Sequence, residues 1–149
     1  MEIKTIKALF DAYYLAKRIR DLLPALPDGV TPSYIHYLDV IETMEGQGAQ
    51  VKVSDISDAL NIPRPGVTRT VKEMEGKGYL CKHTSPQDGR VTYVTATEAG
   101  KQLSQKYNEQ YFNRLAPLLG DISEEDAACT IQTIERFYRV MSEGRVTVE

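Results

Sequence analysis

Apolar residues recur every three or four positions in the outer parts of the chain, which is the pattern of amphipathic helices. Pro24 and Pro27 end the first of these stretches, and Ser123, with Asp126 three residues later, resembles a capping box at the start of the last one. The predicted outer helices cover residues 3–23, 33–45 and 97–118, followed by a final helix after Ser123.

The middle of the chain predicts two short helices that are joined by a tight turn. The first helix begins at Ser54, whose hydroxyl suits a helix N-cap, and it ends at Asn61 and Pro63. Its expected inward-facing residues are Ile56, Ala59 and Leu60. This arrangement is typical of the first half of a helix-turn-helix motif.

The second helix is predicted over about 64–77, with Gly76 and Gly78 at its end and Val67, Val71 and Met74 facing inward. Its opposite face carries short polar and guanidinium side chains, which can read base edges in a major groove. Pro65 suits the first turn, and Gly66 lets the backbone approach a phosphate. The predicted DNA-contacting residues of the two helices are Ser54, Arg64, Pro65, Gly66, Thr68, Arg69 and Lys72. The alternative interpretation is a solvated face of an amphipathic helix.

Two runs rich in Tyr, Val and Thr follow, and they predict a hairpin with strands over 79–84 and 90–95. Residues 85–89 have the composition of a turn. We expect Asp88 to orient the guanidinium of Arg90 toward a minor groove or a phosphate, so both are predicted DNA-site residues. The alternative is a local salt bridge on an exposed hairpin.

At this point the chain resembles the MarR family of bacterial transcription regulators. The matching motifs are Val53-Ser54-Asp55-Ile56 with Ala59-Leu60, Val67-Thr68-Arg69 with Val71, Asp88-Gly89-Arg90, and Thr97-Glu98-Ala99-Gly100. The resemblance implies that the helix over 64–77 lies in the major groove and that Arg90 enters the minor groove. Two positions depart from the family pattern: Pro63 replaces a small polar cap, and Ala96 stands where leucine is common.

The outer helices are too apolar to be covered by a domain as small as a winged helix. In the last helix the apolar positions are Ala127, Ile131, Ile134, Phe137, Tyr138 and Met141. A homodimer that pairs the first and last helices would cover these surfaces and set two recognition helices about one DNA turn apart. We therefore expect a palindromic operator of roughly 15 to 20 bp.

The predicted fold class is mainly α (α+β), with a winged helix-turn-helix core between dimerisation helices. Residues 1–149 form a single MarR-like domain in this prediction. Its DNA-binding part is 32–96, and the dimerisation helices lie in 1–31 and 97–149.

The net charge of the chain is −3, which is unusual for a DNA-binding protein, but the charge is unevenly distributed. Residues 64–90 hold six basic and three acidic side chains, whereas 1–49 and 97–149 are both acidic in balance. Such a local excess serves phosphate neutralisation at one focused site.

Nine tyrosines are present, and several fall on helices that would meet between the dimer contact and the DNA-binding part. In proteins that resemble this one, that junction binds small aromatic or phenolic anions. Aromatic walls and one cation would suffice for such a pocket, with Arg18 as the anchoring charge. The candidate ligand residues are Tyr13, Tyr14, Arg18, Tyr34, Tyr37, Tyr107 and Tyr111. The alternative is that the tyrosines fill the core and the interface.

Other functions find less support in the residues. Cys81 lies beside Lys82 and His83, so a redox role of its thiol is one interpretation, and a buried structural thiol is the default. No metal-ligand cluster, cofactor motif or catalytic constellation is recognisable, so we expect no metal, no cofactor and no enzyme. Without an apolar run of membrane-spanning length or a signal-peptide pattern, we expect a cytoplasmic protein with no membrane partner. A winged helix used for protein contact or for nonspecific DNA architecture stays open as the alternative function.

Overall fold

The computed structural model describes residues 1–144, which begin with two helices, α1 over Ile3–Arg20 and α2 over Pro32–Gly46. Helix α1 ends at Arg20 rather than at the predicted residue 23. The chain there tightens into short-range hydrogen bonds, from Leu22 N to Ile19 O at 3.1 Å and from Leu23 N to Arg20 O at 3.3 Å. A residue that precedes proline disfavours the α conformation, which explains why the helix stops before Pro24.

The two central helices are α3 over Val53–Leu60 and α4 over Arg64–Gly76. The predicted start of α3 at Ser54 is wrong by two residues, because the N-cap is Lys52 and Ser54 lies inside the helix. The carboxylate of Asp55 accepts a hydrogen bond from the backbone N–H of Lys52 at 2.8 Å and so closes the first turn.

Helix α3 buries a different set of side chains from the one predicted. Ile56 is buried and Leu60 is half-buried, as expected, but Ala59 is exposed. The hydroxyl of Ser57 is turned inward instead and donates to the carbonyl of Ile62 at 2.6 Å. The hydrogen bond compensates for the burial of this polar group and ties α3 to the turn before α4.

A two-stranded antiparallel sheet follows, with β1 over Leu80–Thr84 and β2 over Thr92–Ala96. Leu80 pairs with Ala96 at one end and Thr84 with Thr92 at the other. The second strand starts two residues later than predicted, because Arg90 belongs to the hairpin tip. An isolated bridge between Lys52 and Tyr93 adds the segment before α3 to the sheet.

The predicted long helix over 97–118 is a helical segment of changing type. Its parts are α5 over Glu98–Ser104, a π-helical turn over Gln105–Gln110, α6 over Tyr111–Leu115 and a 3₁₀ turn over Ala116–Leu119. Side chains hold the π turn in place: Tyr107 donates its hydroxyl to Ala25 O at 3.1 Å, and the Asn108 amide donates to Ile35 O at 3.2 Å. The last helix, α7, covers Glu124–Glu143, and Ser123 caps it as predicted, with its hydroxyl accepting from Asp126 N at 3.0 Å.

The chain divides into two compact units, Met1–Asn108 and Glu109–Glu149. The first unit contains the core, whose buried apolar residues come from α2, α3, α4, both strands, α5, the π turn and the segments that precede α2 and α3. They are Val30, Tyr34, Tyr37, Leu38, Ile41, Val51, Ile56, Val67, Val71, Met74, Leu80, Val94, Ala96, Leu103 and Tyr107. Ala96, where leucine is common in the family pattern, is thus buried. The predicted fold class is confirmed: the protein is mainly α with a small antiparallel wing.

The second unit contains α6 and α7, and no side chain of α7 is fully buried. Of its six predicted apolar positions, Ala127 and Phe137 are half-buried and the other four are exposed. The last five residues of the predicted C-terminal dimerisation region, 145–149, lie outside the described part of the chain. Among residues 1–144, no helix combines the length and the apolar character that crossing a bilayer requires.

Candidate nucleic-acid interface

Helix α4 begins with a proline-rich turn that leaves its first backbone donors unoccupied by a side-chain cap. Pro63 is the N-cap residue, and Pro65 lies within the first turn, where its missing N–H removes no helical bond. The departure from the family pattern at Pro63 therefore does not shift the helix, which starts at Arg64 as predicted. Because Pro65 has no N–H and Gly66 N donates to Pro63 O at 3.0 Å, it is mainly the helix dipole that favours an anion at this end of α4.

The two faces of α4 have the characters that the sequence predicts. Val67, Val71 and Met74 are fully buried, and the burial of each contributes roughly 1.5–3 kcal/mol. The opposite face is exposed along its length, and its predicted DNA-site residues are Arg64, Pro65, Gly66, Thr68, Arg69 and Lys72. The buried face fixes the rotation of the helix, so the polar face has one defined orientation.

The cations on this face are available for a partner. Within residues 1–144 the structure has one ion pair shorter than 4 Å, between Lys82 and Glu75 at 2.8 Å. Neither Arg64 nor Arg69 takes part in it, so no carboxylate in the described part of the chain neutralises them. Glu73, further along the helix, accepts a hydrogen bond from the buried Tyr34 hydroxyl at 3.4 Å.

The turn between α3 and α4 sets the angle between the two helices. Asn61 adopts a left-handed conformation with φ of 50°, which asparagine tolerates better than most residues. Ile62 N donates to Ser57 O at 3.1 Å, while the Ser57 hydroxyl donates back to Ile62 O. Ser54, the remaining predicted contact on α3, is half-buried near the start of that helix.

The hairpin tip is ordered by two side chains that bind backbone N–H groups. Ser85 is buried, and its hydroxyl accepts from Gln87 N at 3.2 Å and Asp88 N at 3.3 Å. Asp88 accepts from the backbone N–H of Arg90 at 3.0 Å. The expectation that Asp88 holds the Arg90 guanidinium is therefore corrected, because the carboxylate is used by the tight turn. Arg90 itself is exposed, and its guanidinium has no ion-pair partner among residues 1–144.

Two contacts fix the wing against the helices. Lys82 on β1 makes the ion pair with Glu75 on α4, and Val94 N on β2 donates to Val51 O at 2.8 Å. Sequence reasoning missed the first contact, since the pairing of a strand residue with a helix residue has no local signal. The hairpin tip and the polar face of α4 both belong to the first unit.

The tyrosines proposed for ligand binding are not all in one place. Tyr34, Tyr37 and Tyr107 are buried in the core of the first unit, whereas Tyr14 on α1 is 68% exposed. Burial, and then the carboxylate of Glu73, raise the pKa of Tyr34 above its ordinary value, so this hydroxyl stays protonated and donates. Tyr13 is half-buried and Arg18 exposed, both on α1. Tyr111 belongs to the second unit, beside Phe112 at 5.1 Å between ring centroids.

The cysteines and potential metal ligands are dispersed. Cys81 is exposed on the outer side of β1, where its sulfur lies 2.9 Å from the Thr95 hydroxyl, so the default interpretation of a buried thiol is wrong. Its neighbour on the same side, His83, packs against Tyr93 at 5.6 Å between ring centroids. No group of three or more His, Cys, Asp or Glu side chains comes together within the described residues.

Comparison with known proteins agrees with this arrangement. Residues 28–91 match the model of the MarR family. The chain is 26% identical over 87 residues to YdgJ of Bacillus subtilis, described as an uncharacterised HTH-type transcriptional regulator. That alignment covers 58% of this chain and only 53%, about half, of the relative's length.

A second relative and a solved structure extend the similarity over more of the chain. The putative transcriptional regulatory protein for the hcr operon of Thauera aromatica is 26% identical over 121 residues, 81% of this chain and 70% of that protein. Both relatives are described as regulators of transcription, which agrees with the function that the sequence predicts. The crystal structure of Streptococcus pneumoniae FabT in complex with DNA shares the fold, with a TM-score of 0.62, 21% identity and 94% of both chains covered. The chain thus has the fold of winged-helix regulators, and its residues 28–91 are similar to the MarR family.

Proposed function

We propose that this protein binds a palindromic operator in double-stranded DNA as a homodimer and represses transcription there. The observation that carries the proposal is the exposed, unpaired cationic face of α4, backed by the buried Val67, Val71 and Met74. Short polar side chains near a helix N-terminus are the usual readers of base edges in the major groove. FabT, which has the same fold, was crystallised with DNA.

In this proposal the contacts divide into two kinds. Thr68 and Arg69 read base edges, while Arg64, Lys72 and Ser54 hold phosphates. Pro65 and Gly66 form the narrow first turn of α4 that lets a phosphate approach the backbone. Arg90, at a hairpin tip ordered by Asp88, enters the minor groove or binds its flanking phosphates. A small dimer that occupies a site overlapping a promoter excludes the polymerase, which is why repression is the proposed outcome.

The dimer is proposed from the surfaces that one chain leaves uncovered. Helix α1 exposes Ile19 at 58%, and α7 exposes Ile131 at 57% and Tyr138 at 68%. Apolar surface of this extent is characteristic of a helix that packs against a partner. We assign residues 1–31 and 97–149 to the dimer contact and 32–96 to DNA binding, within one functional domain.

The proposal includes an effector that binds at α1 and releases the protein from DNA. The exposed Tyr14 and Arg18, one helical turn apart on α1, offer an aromatic ring and a cation for a small aromatic carboxylate. The proposed effector site is limited to α1, where Tyr13 adds a second ring, because Tyr34, Tyr37 and Tyr107 are core residues of the first unit and Tyr111 lies in the second unit. An operator affinity that stays constant across a panel of such acids would reject the effector and leave these tyrosines as core and interface residues.

The experiment that tests the proposed function is selection of binding sites from random duplex DNA by the purified protein at near-physiological salt. We expect enrichment of an inverted repeat of roughly 15 to 20 bp, bound about a thousandfold more tightly than random DNA. A folded dimer that enriches no sequence, and whose affinity falls equally with salt on all DNA, would contradict sequence-specific regulation. That result would favour an architectural protein instead.

A further inference from the structure

The C-terminal end of α4 is closed by a tight backbone motif. Gly78 has φ of +78°, its N–H donates to Glu75 O at 2.9 Å, and Tyr79 N donates to Met74 O at 2.9 Å. This pair of bonds is a Schellman motif, which satisfies helix carbonyls and fixes the direction in which the chain leaves the helix. The carbonyls of Gly78 and Tyr79 themselves point away from α4 and need other donors.

Thr97 supplies both donors. Its hydroxyl donates to Gly78 O at 2.6 Å, and its backbone N–H donates to Tyr79 O at 3.1 Å. The same hydroxyl accepts from Gly100 N at 3.1 Å and so caps the start of α5. One side chain therefore joins the end of α4 to the beginning of α5, although 19 residues separate Thr97 from Gly78.

Helix α5 also packs closely against the turn that follows α4. A Cβ atom at Gly100 would overlap the carbonyl oxygen of Tyr79 and lie 3.1 Å from a methyl group of Leu38. On the other side of the turn, the Tyr79 ring packs edge-on against Tyr34, with 6.4 Å between ring centroids. Tyr34 in turn reaches Glu73 on α4.

We propose that Thr97 is a positioning residue that fixes the angle of α4 relative to α5 and thereby sets the operator half-site spacing that the dimer accepts. This inference rests on the proposed function, in which each dimer subunit presents one α4 to DNA. Helix α5 opens the region assigned to the dimer contact, so the orientation of α4 on α5 decides where the two α4 helices meet the DNA. One extra base pair between half-sites rotates one half-site by about 34–36° around the DNA axis relative to the other. A dimer in which the angle between α4 and α5 is fixed cannot adjust to that rotation.

The test separates the two roles of the Thr97 hydroxyl. Thr97→Asp keeps an acceptor for Gly100 N, and aspartate is a good N-cap, but its carboxylate has no proton to donate to Gly78 O. Thr97→Ser keeps both bonds. Ser33→Ala removes an exposed hydrogen bond with Thr31 at the start of α2 and controls for a general loss of helix stability. For each folded protein, affinity is measured by fluorescence anisotropy on the selected operator, on versions with one base pair inserted or deleted at the centre, and on random DNA.

We expect the wild type, Thr97→Ser and Ser33→Ala to discriminate strongly between spacings. In Thr97→Asp, the ratio of affinities between the selected and the altered spacings should decrease by about threefold to tenfold, because one hydrogen bond is lost. The affinity for random DNA should change little. If Thr97→Asp keeps the wild-type dependence of affinity on spacing, or loses affinity equally on every spacing, the inference is overturned while the proposed function stands. A wild type without a preferred site or spacing would instead contradict the proposed function. If Thr97→Asp does not fold, Thr97→Asn serves as the second comparison, because its amide restores a donor. It should keep the wild-type dependence of affinity on spacing. A weaker dependence on spacing in this variant would count against the inference.

Discussion

At the residue scale, the exposed position of the predicted DNA contacts on α4 follows from the residues that are buried on the opposite face of this helix. The sequence predicted the exposed set on α4 because a helix that buries Val67, Val71 and Met74 must present the remaining positions outward. It did not predict that Asp88 binds the backbone of Arg90, since a carboxylate two residues before an arginine fits a salt bridge and a tight turn equally well. The contacts between distant residues, such as Lys82 with Glu75, leave no trace in local spacing.

The wing tip gives a prediction at this scale. Arg90→Ala should weaken operator binding by about fivefold to tenfold, because one cation is lost from the DNA surface. Asp88→Ala should also weaken operator binding, but less than Arg90→Ala does, because the turn that presents Arg90 loses its hydrogen bond. Asp88→Asn keeps an oxygen acceptor for the same N–H and should bind nearly as the wild type does. Equal losses for Asp88→Asn and Asp88→Ala in an anisotropy titration would show that the charge of Asp88, and not its hydrogen bond, is what matters.

At the element scale, helices with one strongly apolar face were predicted well and mixed segments were not. Helix α4 was placed to within a residue, whereas 97–118 was expected as one helix and contains a π turn at Gln105–Gln110. The reason is tertiary: Tyr107 and Asn108 take backbone acceptors at Ala25 and Ile35, which are more than 70 residues away in the chain. No periodicity in the sequence records such bonds.

The close contact between α5 and the turn after α4 predicts a large effect from a single methyl group. Gly100→Ala places a Cβ against Tyr79 O and the Leu38 side chain, so it should lower the free energy of unfolding by about 1–3 kcal/mol. Gly76→Ala is the matched control, since a Cβ there meets nothing within 4 Å. It should raise stability by about 0.5–1 kcal/mol through helix propensity. If urea unfolding gives both variants a change in the free energy of unfolding of the same sign, the residues around Gly100 can move to accept the extra methyl group.

At the scale of the whole molecule, the overall charge and the exposed apolar surface have separate explanations. The net charge of the chain is −3, but residues 64–90 carry six basic and three acidic side chains, an excess of three positive charges. These residues belong to the part that we assign to DNA binding. The sequence indicated both this focused charge and the unpartnered helices. It could not give the geometry of the assembly, because the partner of an exposed face is not encoded in the spacing of that face.

The proposed dimer gives the prediction at this scale. The wild type at micromolar concentration should have twice the 16.8 kDa mass of one chain by light scattering. Ile131→Asp places a charge on the exposed apolar stripe of α7 and should yield monomers with weakened operator binding. Gln132→Asp, the neighbouring position, adds the same charge outside that stripe and should stay dimeric. A monomeric wild type, or a dimer untouched by Ile131→Asp, would contradict the assigned contact.

The central claim is that the exposed face of α4 reads DNA sequence, and the base preference of an Arg69→Ala variant tests it most directly. On the selected operator with every base pair varied in turn, we expect this variant to lose about 1–3 kcal/mol of discrimination at one position in each half-site, symmetrically, with the other preferences intact. Arg136→Ala, which removes a guanidinium from α7, should keep every preference. An Arg69→Ala variant that retains the wild-type preference at all positions, or that weakens equally on all sequences, would contradict the claim.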